Sequence, residues 1–185
     1  MTKINFMGLF PNYLWIDLEA SSLSVKSWPC EFGWTGADLK SQSFLIRPMK
    51  QWGDWSLASE SMHGILPQEL RDHGIDAADA ARRINELSSG KQMLSDNPEM
   101  DGTWLKQLFH DTGVKQTFSL HDSRQLEKAA AALSKLTPDR AQSMTEQINQ
   151  AFPHPHRAAP DARRGAARFL ALALPHGIDD ILAMV

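Results

Sequence analysis

The fold this sequence predicts is α/β: a mixed five-stranded sheet flanked by helices. Three observations point there. Strand-like segments come first along the chain, after which helical and strand-like segments alternate, the order that gives a mixed sheet covered by helices. The 185 residues suit one domain with a single buried core. Composition is that of an ordinary globular chain, 42% hydrophobic and 22% charged, which excludes wholesale disorder and a coiled coil. The domain is expected to span 1–185 with its core at about 12–174, and no internal repeat, low-complexity tract or linker interrupts it.

Asn12 to Glu19, NYLWIDLE, places Leu14, Ile16 and Leu18 on one face and Tyr13, Trp15, Asp17 and Glu19 on the other. Apolar residues on both faces predict a central strand. Pro29–Thr35 and Gln42–Arg47 are strand segments joined by the turn-like Gly36-Ala37-Asp38, so the first three strands read as an antiparallel meander. Between Trp52 and Asp76, four residues (Gly53, Gly64, Pro67 and Gly74) break any long helix and leave short ones around Leu57–Met62 and Pro67–Asp72. Asp76 opens a helix through Leu87, with Ala77, Ala80, Ala81, Ile84 and Leu87 near helical spacing and Ser88-Ser89-Gly90 ending it.

Lys91–Ser95 is short enough for a fourth strand. Met100–Phe109 carries Met100, Trp104, Leu105 and Leu108 on one helical face, and Gly113 ends it. Phe118–Leu120 is a candidate fifth strand. Helices over Arg124–Leu136 and Pro138–Phe152 are separated by Thr137-Pro138, a capping threonine followed by a proline suited to the first helical position. The last long helix begins near Ala159-Pro160 and runs to about Leu174, where Pro175 and Gly177 stop it and leave a short tail.

No stretch approaches the ~18 apolar residues of a membrane span, and Met1–Phe10 lacks the pattern of a signal peptide, so a cytoplasmic location is expected. The one cysteine, Cys30, excludes an internal disulfide and a thiolate metal cage, and inside a strand it reads as a small buried hydrophobe. Any metal must then be held by oxygen or imidazole. Net charge is −3, so a nucleic-acid role needs a local basic patch rather than a basic molecule. Arg157, Arg163, Arg164 and Arg168 offer one, opposed nearby only by Asp161, although a solvated helix face reads the same way. Six tryptophans against one tyrosine suit core packing, with Trp28, Trp52 and Trp55 in loop segments where stacking on a base is the alternative.

Three pieces carry chemistry. Asp17 and Glu19, two apart on a strand, put both carboxylates on one face at its C-terminal end. Either they meet solvent there, or one protonates, or a hard divalent cation such as Mg²⁺ or Mn²⁺ lies between them. Asp101 sits at a helix entry, where an aspartate serves either the helix or a reaction, with Asp96 and Glu99 as competitors. In HPHRAAPDA, Asp161 is held on a helix while His156 lies on the loop before it, as a surface histidine or as a mobile base titrating near neutrality. His154 shows that histidines are not rare in this stretch.

The ordered set of a D-x-E strand, a helix-entry aspartate and H-x4-D before an Ala-rich helix resembles the DEDDh 3′-to-5′ exonucleases of the ribonuclease H-like fold. Polymerase proofreading subunits, ribonuclease T and oligoribonuclease belong to that family. The resemblance runs from about Asn12 to Leu174. It is carried by LWIDLEASSLS followed by WPCEFGW, by SMHGILPQEL, by DNPEMD with Asn97 four residues before Asp101, and by HRAAPDA. Two positions depart from the family pattern. Met100 stands where many relatives have an aromatic residue, and Asp96 stands where a histidine is often found, adding a negative charge.

The resemblance implies a ribonuclease H-like fold, two divalent ions, Mg or Mn, held by Asp17, Glu19, Asp101 and Asp161, and His156 as general base. It also implies substrate contacts by Ala20, Ser21, His63 and Asn97. Four carboxylates and two divalent ions cancel in formal charge, so without metal the site should be strained by repulsion. The expected activity is hydrolysis of the 3′-terminal phosphodiester of single-stranded RNA or DNA, releasing nucleoside 5′-monophosphates, by a monomer or homodimer. Competing expectations are a catalytically silent nucleic-acid-binding or regulatory module of the same fold, and an endonucleolytic relative using the same metals.

Overall fold

The structure, a computed structural model, describes residues 5–185; Met1–Ile4, the start of the expected 1–185 domain, lie outside the described residues. A short helix α1 (Phe6–Leu9), which the sequence reading missed, leads into strand β1 (Tyr13–Ala20). The meander follows as expected: β1 pairs antiparallel with β2 (Pro29–Thr35), which pairs antiparallel with β3 (Gln42–Leu45). Strand β3 stops two residues short of the expected end. There Ile46 leaves for an isolated parallel bridge to Ile75.

Helices α2 (Leu57–His63) and α3 (Pro67–His73) form around the glycines and proline as read. Gly64 closes α2 at φ +69°, a left-handed conformation that glycine takes without a Cβ clash. Helix α4 (Ala77–Ser88) is capped by the Asp76 side chain, which accepts from the Ala78 N–H. Strand β4 (Gln92–Ser95) then pairs parallel with β1 and with β5 (Leu120–Asp122), giving the strand order β3-β2-β1-β4-β5. Strand β5 lies two residues beyond the expected Phe118–Leu120, because Phe118 packs edge-on against Phe109 instead of entering the sheet.

Between β4 and β5 runs α5 (Pro98–Thr112), and after β5 come α6 (Ser123–Leu133), α7 (Pro138–Ala151) and α8 (Ala158–Ala173). The expected tail is folded, with a 3₁₀ turn at Pro175–Gly177 and α9 (Ile178–Leu182). This is a ribonuclease H-like mixed sheet flanked by helices. The expected single core is divided by the sheet. Leu14, Ile16, Leu18, Phe32 and Phe44 pack with α4 and α5 on one face, while Trp15 and Leu94 pack with α7 and α8 on the other.

Two features of this frame position the site. Strand β1 outruns its parallel neighbour: pairing with β4 ends at Trp15↔Leu94, and Asp17–Ala20 keep β2 on one edge only. Its register shifts at Glu19/Ala20, a bulge that re-aims the end of the strand. At the other junction β2 and α8 touch backbone to backbone. A Cβ on Gly33 would stand 2.2 Å from the Ala158 carbonyl carbon, so only glycine admits the start of α8 at that distance.

Candidate active site

Strands β1 and β4 both end at the same edge, where the chain reverses between its antiparallel and parallel halves, the usual place for a ligand cleft in such sheets. A cleft of about 370 Å³ lies there. Asp17 and Glu19 project into it from the free end of β1, and Asp101 enters from α5. Asp101 and Asp161 share one local solution: each is the fourth residue of its helix, in the first turn, where the unpaired N–H groups favour an anion.

Asp101 is 2% exposed. It accepts from the Ser95 hydroxyl and from the Leu18 N–H, a donor available because β1 continues past β4. Asp161 is 8% exposed, and its Oδ2 accepts from the Arg157 N–H at 3.1 Å. One ligand oxygen from each of Asp17, Glu19 and Asp161 falls within 4.8 Å of the others. The structure thus brings Asp17, Glu19 and Asp161 together from β1 and α8, and Asp101 of α5 lines the cleft beside the first two.

The cost of this gathering is visible in protonation. Burial first, then Asp101, Glu19 and Asp161, pushes Asp17 well above the ordinary carboxylate range. Burial and the charges of Asp161 and Glu31 raise Glu19 to about 8. Burial, with help from Asp96 and against the Ser95 and Leu18 hydrogen bonds, raises Asp101 to about 8. Carboxylates so placed are relieved by a hard cation, and Asp161 Oδ1 is buried with no hydrogen bond of its own. The donor set therefore fits divalent metal.

His156 lies on the loop before α8, in the cleft wall, in a left-handed conformation at φ +54°. His154 stands against the same aspartate. Its Nδ1 is 2.6 Å from Asp161 Oδ1 without the alignment of a hydrogen bond, and its ring lies 4.3 Å from that of His156. The sequence reading gave His154 no place. The H-P-H spacing on a loop that ends at a helix-entry aspartate is the signal that would have found it.

The other expected contacts divide. Ala20, His63 and Asn97 line the cleft. Ser21 does not: it is fully buried, its Oγ accepts from the Trp28 N–H and its own N–H donates to the Trp28 carbonyl. The loop after β1 needs both groups to close on itself, so the expected contact of Ser21 with substrate is corrected to a loop-closing role. His63 is 4% exposed, its Nδ1 accepts from the Ile65 N–H, and burial lowers its pKa.

The basic patch is divided. Arg157 is tied to Glu31 at 2.9 Å, Arg168 to Glu127 and Asp96, and Arg163 donates to the Met184 carbonyl and lies over the Phe152 ring. Arg164 lines the cleft, and Arg124 joins it from α6. The extra negative charge of Asp96 is met by Arg168 at 3.4 Å and Arg124 at 3.8 Å. The three loop tryptophans pack on one another: Trp28 is buried, stacks on Trp52 with ring centroids 5.2 Å apart and lies tilted against Trp55 at 5.7 Å. Each indole N–H has a partner, in Asp54, Asp111 and Glu60.

Glu31 is the organising residue that sequence reasoning passed over. It is 1% exposed in the middle of β2, and it accepts from the Arg157 guanidinium, the Ser43 hydroxyl and the Ala158 N–H. Burial would raise its pKa, but these hydrogen bonds outweigh burial and hold it below the usual value. Glu31 and Gly33 together dock the start of α8 onto β2, and Asp161 is fixed as a consequence. A charged residue within an otherwise apolar strand was the available sign.

Compared as a sequence, the chain matches no family model and no curated protein. Compared as a structure, it superposes on E. coli exonuclease I in a zinc-bound complex with single-stranded DNA at a TM-score of 0.66, with 18% identity over 91% of this chain and 42% of that one. E. coli exonuclease I in complex with a dA16 oligonucleotide gives 0.65, at 19% identity with the same coverage. A moderately thermophilic exonuclease I from Methylocaldum szegediense gives 0.61, at 17% identity over 92% of this chain and 42% of that one. The chain thus spans about two fifths of the length of these neighbours. The ribonuclease H-like fold expected from the sequence is the fold they share with it.

Proposed function

We propose that this chain is a metal-dependent 3′-to-5′ exonuclease that removes nucleoside 5′-monophosphates from the end of a single strand. The observation that carries the reading is the convergence of Asp17, Glu19 and Asp101 in one cleft with His156 at its wall, and of Asp161 within 4.8 Å of Asp17 and Glu19. The four carboxylates would hold two divalent cations, Mg²⁺ or Mn²⁺. Bound there, the cations supply Lewis acidity that makes a water nucleophilic and offsets charge on the phosphate.

This chain's residues do the rest. His156, on a loop free of regular secondary structure, takes the proton from the attacking water as the new O–P bond forms. The P–O3′ bond breaks, and the released 3′-oxygen acquires a proton from solvent. Asp101 and Asp161, anchored in first helical turns, hold the charge that orients the reaction. Arg124 and Arg164 meet the phosphates of the strand, and Ala20, His63 and Asn97 form the wall that receives the terminal nucleotide. A single strand suits the cleft because its end can reach the carboxylates unpaired. The exonuclease I neighbours solved with single-stranded DNA make DNA the first substrate to try.

The test is time-resolved digestion of 5′-labelled single-stranded DNA and RNA of equal sequence with Mg²⁺ or Mn²⁺, beside EDTA and 3′-blocked controls. Shortening from the 3′ end, absent in both controls, is the expected result. Cutting of the 3′-blocked strand would make the enzyme an endonuclease, and no cutting by folded, metal-supplied protein would remove the catalytic reading. Asp17→Asn and Asp161→Asn are expected to abolish turnover. His156→Ala should slow it by about 10²–10⁴-fold while metal binding persists, as loss of a general base does; a full rate across the pH profile would dismiss that role.

A further inference from the structure

We propose that His154, His156 and Asp161 form a second metal site, which takes a first-row transition ion such as Zn²⁺ and thereby withdraws two groups from hydrolysis. The regulatory half of this inference rests on the exonuclease reading above, whereas the binding half stands on the geometry of the three side chains alone.

One ligand atom from each of the three lies within 4.8 Å of the others. Asp161 divides its oxygens: Oδ2 is taken by the Arg157 N–H, while Oδ1, buried and without a hydrogen bond, faces His154 Nδ1 at 2.6 Å. The Asp161 side chain is only 4% exposed, so its Oδ1, in contact with His154 but without a hydrogen bond, faces the imidazole and not bulk water. Tetrahedral zinc with bonds of ~2.0–2.2 Å sets its ligand atoms roughly 3.4 Å apart. The present cluster brackets that spacing, with His154 Nδ1 2.6 Å from Asp161 Oδ1 and all three ligand atoms within 4.8 Å. Three protein ligands with one open position is a common zinc arrangement.

The loop is built to hold the pair. Pro153 and Pro155 flank His154, each fixing its own φ and restricting the residue before it. His156 then turns left-handed at φ +54°, which brings its ring beside that of His154. A loop already restricted loses less entropy when it closes on an ion.

Chemistry separates the two metal sites although they overlap. Imidazole nitrogen suits zinc and its neighbours, while Mg²⁺ prefers an all-oxygen set. Asp161 belongs to both. An ion held by His154 and His156 also occupies the imidazole lone pair that would accept the water's proton, so zinc occupancy and hydrolysis exclude each other.

Calorimetric titration with Zn²⁺ tests the binding half on the wild type, His154→Ala, His154→Gln and Asp17→Asn, each first shown to be folded by circular dichroism. The expected result is a Zn²⁺ affinity lowered tenfold or more in both His154 variants and changed less than threefold in Asp17→Asn. Unchanged affinity in the His154 variants, equal losses in all three variants, or no Zn²⁺ binding by the wild type would each overturn the site. The regulatory half is read as the Zn²⁺ concentration that halves each protein's own Mg²⁺-supported rate, which should rise at least tenfold in His154→Ala. An equal value in both proteins would overturn that half. If the wild type hydrolyses nothing, the exonuclease reading fails, and the titration still decides the zinc site.

Discussion

Glu19 and Asp101 hold their protons to about pH 8, whereas an unfolded glutamate or aspartate loses its own near pH 4. Between those values the native state binds more protons than the unfolded one, so metal-free stability falls as pH rises. The melting temperature in EDTA is therefore expected to drop between pH 5 and pH 8. Excess Mg²⁺ should restore it at pH 8 and do little at pH 5. A flat or rising profile in EDTA would show that burial and mutual repulsion do not raise these carboxylates as their placement requires. Glu31 has the opposite sign: its lowered pKa contributes stability above the ordinary carboxylate range, lost only as pH falls through the lowered value. Glu31→Ala leaves the Arg157 guanidinium and the Ala158 N–H without their acceptor. Because Arg157 is partly exposed and water can replace one partner, a cost of about 3 kcal/mol is expected in urea unfolding.

At the scale of elements, what was legible in the sequence followed from local chemistry. The D-x-E pair, the two helix-entry aspartates and the proline-marked starts of α7 and α8 are each written within a few adjacent residues, whereas α5 begins at Pro98, two residues before the expected Met100. What escaped was set by contacts distant along the chain. Strand β5 slid two residues because Phe118 found Phe109, and Arg157 and Arg168 proved to be committed because Glu31, Glu127 and Asp96 lie elsewhere in the sequence. Gly33 belongs to this class, since nothing within PCEFGWT says that a helix backbone will arrive against it. Gly33→Ala must displace the Ala158 and Ala159 backbone, and a loss of at least ~3 kcal/mol is expected, together with loss of turnover as Asp161 moves. Gly53→Ala, with nothing within 4 Å and no left-handed backbone to strain, is the paired control and should unfold like the wild type.

For the whole molecule, the two apolar layers share one sheet, so neither has a closed core of its own. Ile148 in α7 and Leu108 in α5 are fully buried on opposite faces. Truncating either to alanine is expected to cost about 2–5 kcal/mol and to move a single unfolding transition seen identically by near-ultraviolet circular dichroism and by loss of activity. Two separated transitions would mean that the layers fold as independent units. The site spans both, since α5 packs on one layer and α8 on the other while β1 lies between them.

The docking of Ala158 onto Gly33 also sets a clock for synthesis. A ribosome delivers β1 and β2 before α8, so until α8 emerges Glu31 has no guanidinium to meet and Asp17 and Glu19 have no Asp161 beside them. The cleft cannot close on a cation until the stretch beginning at Arg157 has emerged. Nascent chains, and fragments that stop before α8, would be born without the assembled carboxylate cluster.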